Sequence, residues 1–369
     1  MNVPFFTNVY QEERYGSLIR EKIDHIIKKG NFILGDEVKT FESNIKNYTD
    51  SKYAIGVANG SDALYLSLLA LDLPEGSEVI TTPFTFFAST SCIVRNRLKP
   101  VFVDVCEDTY NINTGKIEEK ITKKTSCILP VDLFCQSVNM DEIIDISKKY
   151  NLKIVEDSAE AFGMKWNGHH AGTLSDIGVL SFFPTKTLSC YGDGGMLLTN
   201  SDELYEKLKI MRVHGASKKY HHKYLGINSR LDEIQAGILN IKLQYIDDEI
   251  KERALISKKY FELLKDVKQI RLPKVIDEAT PVWYVFSIQC ENRDRLENYL
   301  KEKGIQTSIY YPLPMHLQEV FKNLGYKERD FPISERLCNT SLALPIFIGM
   351  NDTMIEYVCE NIIDFYGKK

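Results

Sequence analysis

Apolar residues recur along this chain in two rhythms, and their alternation sets the expected architecture. Ile19, Ile23, Ile26 and Ile27 stand among charges at helical spacing, which predicts a helix over 16–29. A break at 32–35 precedes a second expected helix over 37–48. Short apolar runs bounded by polar breakers then follow, at 54–58, 78–82, 100–105, 127–134, 154–155 and 177–183. Runs of this kind are expected of buried parallel strands. Between them helical spacing returns, over 63–71, on leaving 83–90, and around Met140, Ile143, Ile144 and Ile146. Strands alternating with helices predict an α/β fold, a mostly parallel sheet covered on both faces.

Helical patterns continue over 201–214, 230–245 and on to about 264, interrupted at 215–228 by a charged stretch that reads as a solvated loop. Past Pro273 the rhythm changes. Residues 281–288 alternate as an antiparallel strand does, 293–303 read as a helix, and 304–312 as another strand. This predicts a smaller α+β unit. The expected division is a large domain over 1–245 and a small one over 246–369.

In open parallel sheets, chemistry collects where the strands end. One run ends in Glu156 and Asp157; another delivers Pro184, Thr185 and Lys186, with glycines at 192, 194 and 195 close behind. Asp157 and Lys186 lie 29 positions apart, about one strand–connection–strand unit. A carboxylate and a lysine buried in one crevice suit a cofactor with a cationic ring nitrogen and an aldehyde. Pyridoxal phosphate is such a group: lysine forms a Schiff base with it and an acid pairs with its pyridinium nitrogen. A loop lysine and a helix-capping aspartate would explain the same spacing equally well. At 59–62, Asn-Gly-Ser-Asp precede an apolar helix, where Ser61 or Asp62 is the expected N-cap. A phosphate would use the same backbone amides. Phe84, Phe86 and Phe87 suit a core, or one of them a stacked ring. No Gly-x-Gly-x-x-Gly opens a helix after the first strand and no GxxxxGK[ST] occurs, so dinucleotide and P-loop readings lose their motifs.

Composition narrows the remaining classes. A chain of 369 residues, 44% hydrophobic and 26% charged, is long enough for two domains. Its net charge of −5 gives no footprint for nucleic acid or an anionic membrane. No run reaches the length of a bilayer span, and Met1-Asn2-Val3-Pro4 does not read as a signal peptide. The eight cysteines are scattered, without a CxxC pair, and read as core thiols in a reducing compartment. The expectation is a cytoplasmic protein without a metal.

The stretches NGSDALYLSL, PFTFFAST, VDLFCQ, VEDSAEAFG, SFFPTKTL, YGDGG, GINSRLDEIQAGIL and IYYPLPMHLQ, in this order, resemble the DegT–StrS sugar aminotransferases over almost the whole chain. The resemblance implies the fold of the type-I pyridoxal-phosphate enzymes: a mostly parallel mixed sheet flanked by helices, with a smaller C-terminal α+β domain. It implies that Lys186 bonds the cofactor aldehyde, Asp157 pairs with the ring nitrogen, and Phe86 stacks on the ring. Ser181, with Ser61 and Asp62 at the helix start, would bind the phosphate. Asn228 would reach the phosphate of a neighbouring subunit, implying a homodimer with shared sites. Arg230 and Tyr310 fall where relatives contact the sugar nucleotide, and His316 lies in a nearby motif. Two departures stand out: Glu160 where glutamine is usual beside the ring hydroxyl, and Cys135 where glycine is usual.

The implied reaction moves an amino group from L-glutamate, through pyridoxamine phosphate, to a nucleotide-linked keto-sugar. The implied ketone is at C3 of a UDP- or dTDP-sugar, with C4 as the alternative, and the product would serve surface polysaccharide or glycoconjugate synthesis. Related 3-dehydratases carry histidine where Lys186 stands, which disfavours that chemistry. A regulatory protein that binds the cofactor without turnover is the rival from another class. As the base in the reaction, Lys186 is expected to have a lowered pKa through desolvation and the adjoining cationic ring.

Overall fold

The computed structural model describes residues 1–367, apart from the side chain of Cys135. Two helices open the chain, α1 (Val9–Lys29) and α2 (Asp36–Thr49). α1 closes on Gly30, whose left-handed backbone (φ 70°) returns its N–H to the carbonyls of Ile26 and Ile27. The first amides of α2 are capped from far away: the Glu233 carboxylate accepts from the N–H groups of Gly35, Glu37 and Val38.

The expected alternation follows: β1 (Tyr53–Val57), α3 (Gly60–Ala70), β2 (Glu78–Thr81), α4 (Phe87–Arg95), β3 (Lys99–Phe102), β4 (Thr125–Ile128), α5 (Met140–Tyr150) and β5 (Lys153–Asp157). A short hairpin, β6 (Lys165–Trp166) and β7 (His169–His170), precedes β8 (Ile177–Ser181) and β9 (Gly195–Thr199). Seven of these strands form one sheet in the order β1-β9-β8-β5-β4-β2-β3. Only β9 runs against its neighbours; every other pairing is parallel. Residues such as Val57, Val79, Cys127, Val155, Val179 and Leu197 are wholly buried in it. Each such aliphatic side chain contributes about 1.5–3 kcal/mol on leaving water. With helices on both faces, this is why the strands read as continuous apolar runs.

Beyond the sheet come α6 (Asp202–Met211), the exposed hairpin β10 (Ala216–Lys218) and β11 (His221–His222), α7 (Glu233–Lys242) and α8 (Ile246–Leu264). The C-terminal part holds β12 (Ile270–Arg271), β13 (Ala279–Thr280), β14 (Phe286–Cys290), α9 (Arg293–Glu302), α10 (Pro332–Thr340), β15 (Ser341–Leu344) and α11 (Asp352–Gly367). Its sheet is antiparallel, β12-β14-β15. The parts are laced together. β13 pairs with β6 of the large unit, and Val3 bridges Ile305 and packs in the C-terminal core with Phe286, Ile288 and Leu342.

Four expectations need correction. The charged stretch at 215–228 holds a two-stranded hairpin rather than a plain loop. The run at 127–134 stops as a strand at Ile128, and Phe134 turns into the left-handed region (φ 53°). The strand expected from 281 begins at Phe286, because the chain turns at Trp283 (φ 50°). Residues 304–312 make bridges only at Ile305 and Ser308. Tyr310 and Tyr311 leave that edge to pack on Phe134 of the large unit, at ring-centroid separations of 6.3 and 6.4 Å.

Candidate active site

The C-terminal ends of β5 and β8 and the first turn of α3 face one cavity of about 470 Å³. Its buried end is Asp157, the last residue of β5 and 3% exposed. The Ser89 hydroxyl donates to Asp157 Oδ2 at 2.7 Å and the Ala159 N–H to Oδ1 at 3.3 Å. Burial pushes the Asp157 carboxyl above its ordinary pKa, while those two donors and nearby Lys186 oppose the shift. A cationic group beside Asp157 would keep the carboxylate charged.

Lys186 enters from the loop after β8. Its Nζ lies 3.1 Å from Glu160 Oε1 and 4.4 Å from the centre of the Tyr284 ring. The Tyr284 hydroxyl is in turn 3.2 Å from Thr185 Oγ1. Burial pulls the Lys186 pKa down, but Glu160 and Tyr284 together outweigh it, and the net shift is upward. The lowered value expected for this lysine is therefore not what its surroundings give; Glu160, with Tyr284, reverses the sign.

The opposite end is built on α3. Asn59 is its N-cap, accepting the Asp62 N–H at 2.8 Å, rather than Ser61 or Asp62 as the spacing suggested. Gly60 and Ser61 line the cavity there, in the first turn, where backbone N–H groups lack intrahelical partners. A Cβ on Gly60 would stand 3.0 Å from the Ser181 Cβ, so glycine is what lets the Ser181 hydroxyl approach the helix start. Amides plus a hydroxyl suit a phosphate, an acid suits a ring nitrogen, and a lysine suits an aldehyde. The residues present thus fit pyridoxal phosphate. Phe86, 56% exposed, offers its ring to the same space.

Of the residues singled out in the sequence, Ser61, Phe86, Asp157, Glu160, Ser181, Lys186 and Tyr310 line this cavity. The others lie elsewhere in the chain. The N–H of Asp62 is taken by Asn59. Asn228 is exposed and bridges Val213, and Arg230 is half-buried beyond it. His316 is buried against Phe331, with Nε2 3.1 Å from Glu335 Oε1. Sequence reasoning missed Asn59, Ser89, Tyr284 and Tyr311. The first two stood inside stretches already singled out, and asparagine is a strong N-cap. Tyr311 likewise stood inside IYYPLPMHLQ, beside Tyr310, whereas Tyr284 comes from the C-terminal part and carries no local signal.

The model of the DegT/DnrJ/EryC1/StrS aminotransferase family matches residues 14–363. A pleiotropic regulatory protein of Geobacillus stearothermophilus is 44% identical, covering 99% of each chain. The dTDP-3-amino-3,6-dideoxy-alpha-D-galactopyranose transaminase of Aneurinibacillus thermoaerophilus is 42% identical, again over 99% of each. Among solved structures, S. venezuelae DesV in complex with a ketimine intermediate superposes with a TM-score of 0.97 at 32% identity, covering 100% of this chain and 99% of that one.

Proposed function

The chain belongs to the DegT/DnrJ/EryC1/StrS aminotransferase family, and on that premise we propose that it aminates the C3 ketone of a UDP- or dTDP-linked sugar with L-glutamate as donor. The observation that carries the chemistry is the meeting of Asp157, Lys186 and the start of α3 in one cavity. The transaminase relative named for a 3-amino sugar supports the ketone position. When bound, pyridoxal phosphate supplies an electrophilic carbonyl carbon and an electron-withdrawing ring that accepts the pair left when a proton departs from carbon.

The protein's own groups do the rest. Lys186 would hold the cofactor through its aldehyde, and its free amine would serve as the group that takes and returns the proton at the donor carbon. Asp157 keeps the ring nitrogen protonated from its buried position. Gly60, Ser61 and Ser181 hold the phosphate, and Phe86 covers the ring. Asn228, which does not line the cavity of its own chain, would reach the phosphate of the neighbouring subunit's cofactor in a homodimer, and Arg230 would contact the sugar nucleotide. Tyr310 faces the sugar. We place the division between domains at 245/246 and the protein in the cytoplasm, with a product destined for surface polysaccharide or glycoconjugate.

A second reading draws on the regulatory relative: a cofactor-binding protein without turnover. One measurement separates them. The visible absorbance of the cofactor-loaded protein bleaches on adding glutamate and returns with a keto-sugar acceptor if the chain is a transaminase. Indifference to every amino donor supports the regulatory reading. NMR of the product formed from a panel of UDP- and dTDP-keto-sugars reads the position, and an amino group at C4 would replace C3.

A further inference from the structure

Glu160 makes two contacts at once in the cavity wall. Oε1 meets Lys186 Nζ at 3.1 Å, and Oε2 accepts the Phe134 N–H at 3.1 Å. The second contact rests on a backbone that resists it. Phe134 lies in the left-handed region (φ 53°, ψ 38°), which a residue with a side chain adopts only when its surroundings enforce it. The enforcement is visible: its ring is wedged against Phe84 at 6.0 Å and Tyr110 at 5.3 Å between centroids. The core therefore aims the Phe134 N–H at Glu160, and the carboxylate has a rigid anchor on one side and the lysine on the other. Side-chain exposures of 14% for Lys186 and 11% for Glu160 leave the pair mostly shielded from solvent.

We propose that Glu160 is a positioning residue: anchored on the Phe134 N–H, its carboxylate holds the Lys186 amine in the charged form before the cofactor binds, and so sets the pH at which the lysine becomes nucleophilic towards it. The inference rests on the reading of Lys186 as the cofactor lysine. Other titratable groups share the cavity: Asp157, Asp193, Tyr284, Tyr310 and Tyr311. Of these, Tyr284 is the one in ring contact with the ammonium. Burial by itself pulls the lysine down, so removing the Glu160 charge leaves that pull opposed only by weaker neighbours.

The test uses the full-length protein freed of cofactor. Trace acetylation with acetic anhydride, followed by quantitative peptide mapping across pH, reads how nucleophilic each lysine is. In Glu160→Gln, which keeps the shape and a hydrogen-bond acceptor, Lys186 acetylation at pH 8 should rise tenfold or more, with its onset displaced downward by at least one pH unit. Glu160→Asp retains the charge but withdraws it by one methylene and should fall between; it decides the matter alone if the glutamine variant does not fold. Lys242, buried elsewhere, is the internal reference whose profile should stay put. Lys186 profiles that superimpose in wild type and variants would overturn the proposal. Because no cofactor enters the measurement, that failure is distinct from failure of the cofactor reading, which would show as borohydride-trapped adduct on a side chain other than Lys186.

Discussion

Lys186 and Lys242 are both lysines sunk into the body of the protein, yet their proton affinities move in opposite directions. Lys242, 3% exposed, donates to Ser189 Oγ at 3.0 Å and lies 4.5 Å from the centre of the Tyr191 ring. Burial pushes it down to about 8, with Glu249 pulling only part of the way back. Lys186 is desolvated too, but Glu160 in direct contact, with Tyr284 beside it, turns the net shift upward. A hydroxyl and an aromatic face solvate an ammonium less well than water does; a carboxylate at contact distance more than replaces it. Burial alone therefore does not identify a reactive lysine. The identity of its nearest acceptor does.

The comparison breaks most visibly through deletion. Lys186→Ala should lower turnover with glutamate and a keto-sugar on the order of a thousandfold or more, since no other group carries the covalent link or the proton. Lys242→Met should leave turnover within a few-fold of wild type. Near-normal activity in Lys186→Ala would refute its role.

Next in size is the separation of the two cavity carboxylates. Asp157→Ala removes the buried partner of the cofactor's ring nitrogen. Loss of one member of a buried ion pair is destabilising by about 3–5 kcal/mol, so cofactor affinity should fall by roughly a hundredfold or more, measured by absorbance titration. The acetylation profile of Lys186 should move less than in Glu160→Gln, because Asp157 makes no bond to Nζ; its oxygens are occupied by Ser89 and Ala159. If the two variants moved Lys186 equally, the contact carboxylate would not be the one that matters.

What could be read from the sequence follows the same division between local and distant contacts. The parallel strands were legible because both faces of the sheet are covered, leaving uninterrupted apolar runs. Asp157 and Lys186 were legible as positions because each follows such a run, and the family resemblance extends along the entire sheet. The acceptor that sets the lysine's charge was visible only as a departure from the usual glutamine. Tyr284 gave no sign at all: it meets Lys186 because the chain turns at Trp283, while Tyr311 packs on Phe134 because residues 304–312 leave their sheet edge. Contacts over such separations leave no periodicity behind. A similar limit hid Asn59, where Ser61 and Asp62 were equally good caps on paper and backbone geometry chose among them.

The smallest effect, and the sharpest test of the contrast, is the stability of Lys242→Met. The unfolded chain holds this proton up to about 10.5 and the folded protein only up to about 8. Between those values the unfolded state binds more protons, so wild-type stability should rise with pH from 8 to 10.5 and stay lowered by a constant amount below 8. The full difference is roughly 3 kcal/mol. Methionine removes that term but also removes the bond to Ser189, worth about 1 kcal/mol; the attraction of the Tyr191 ring acts only on the charged ammonium and so belongs to the folded-state affinity. At pH 7 the variant should therefore be more stable than wild type by about 2 kcal/mol, and near pH 10.5 less stable by about 1 kcal/mol, with the sign changing between. Urea unfolding of both proteins at one concentration and a series of pH values reads the difference, with the other titrations common to both. A difference that stays constant across that range would mean Lys242 keeps its ordinary affinity in the folded protein, and the contrast with Lys186 would vanish.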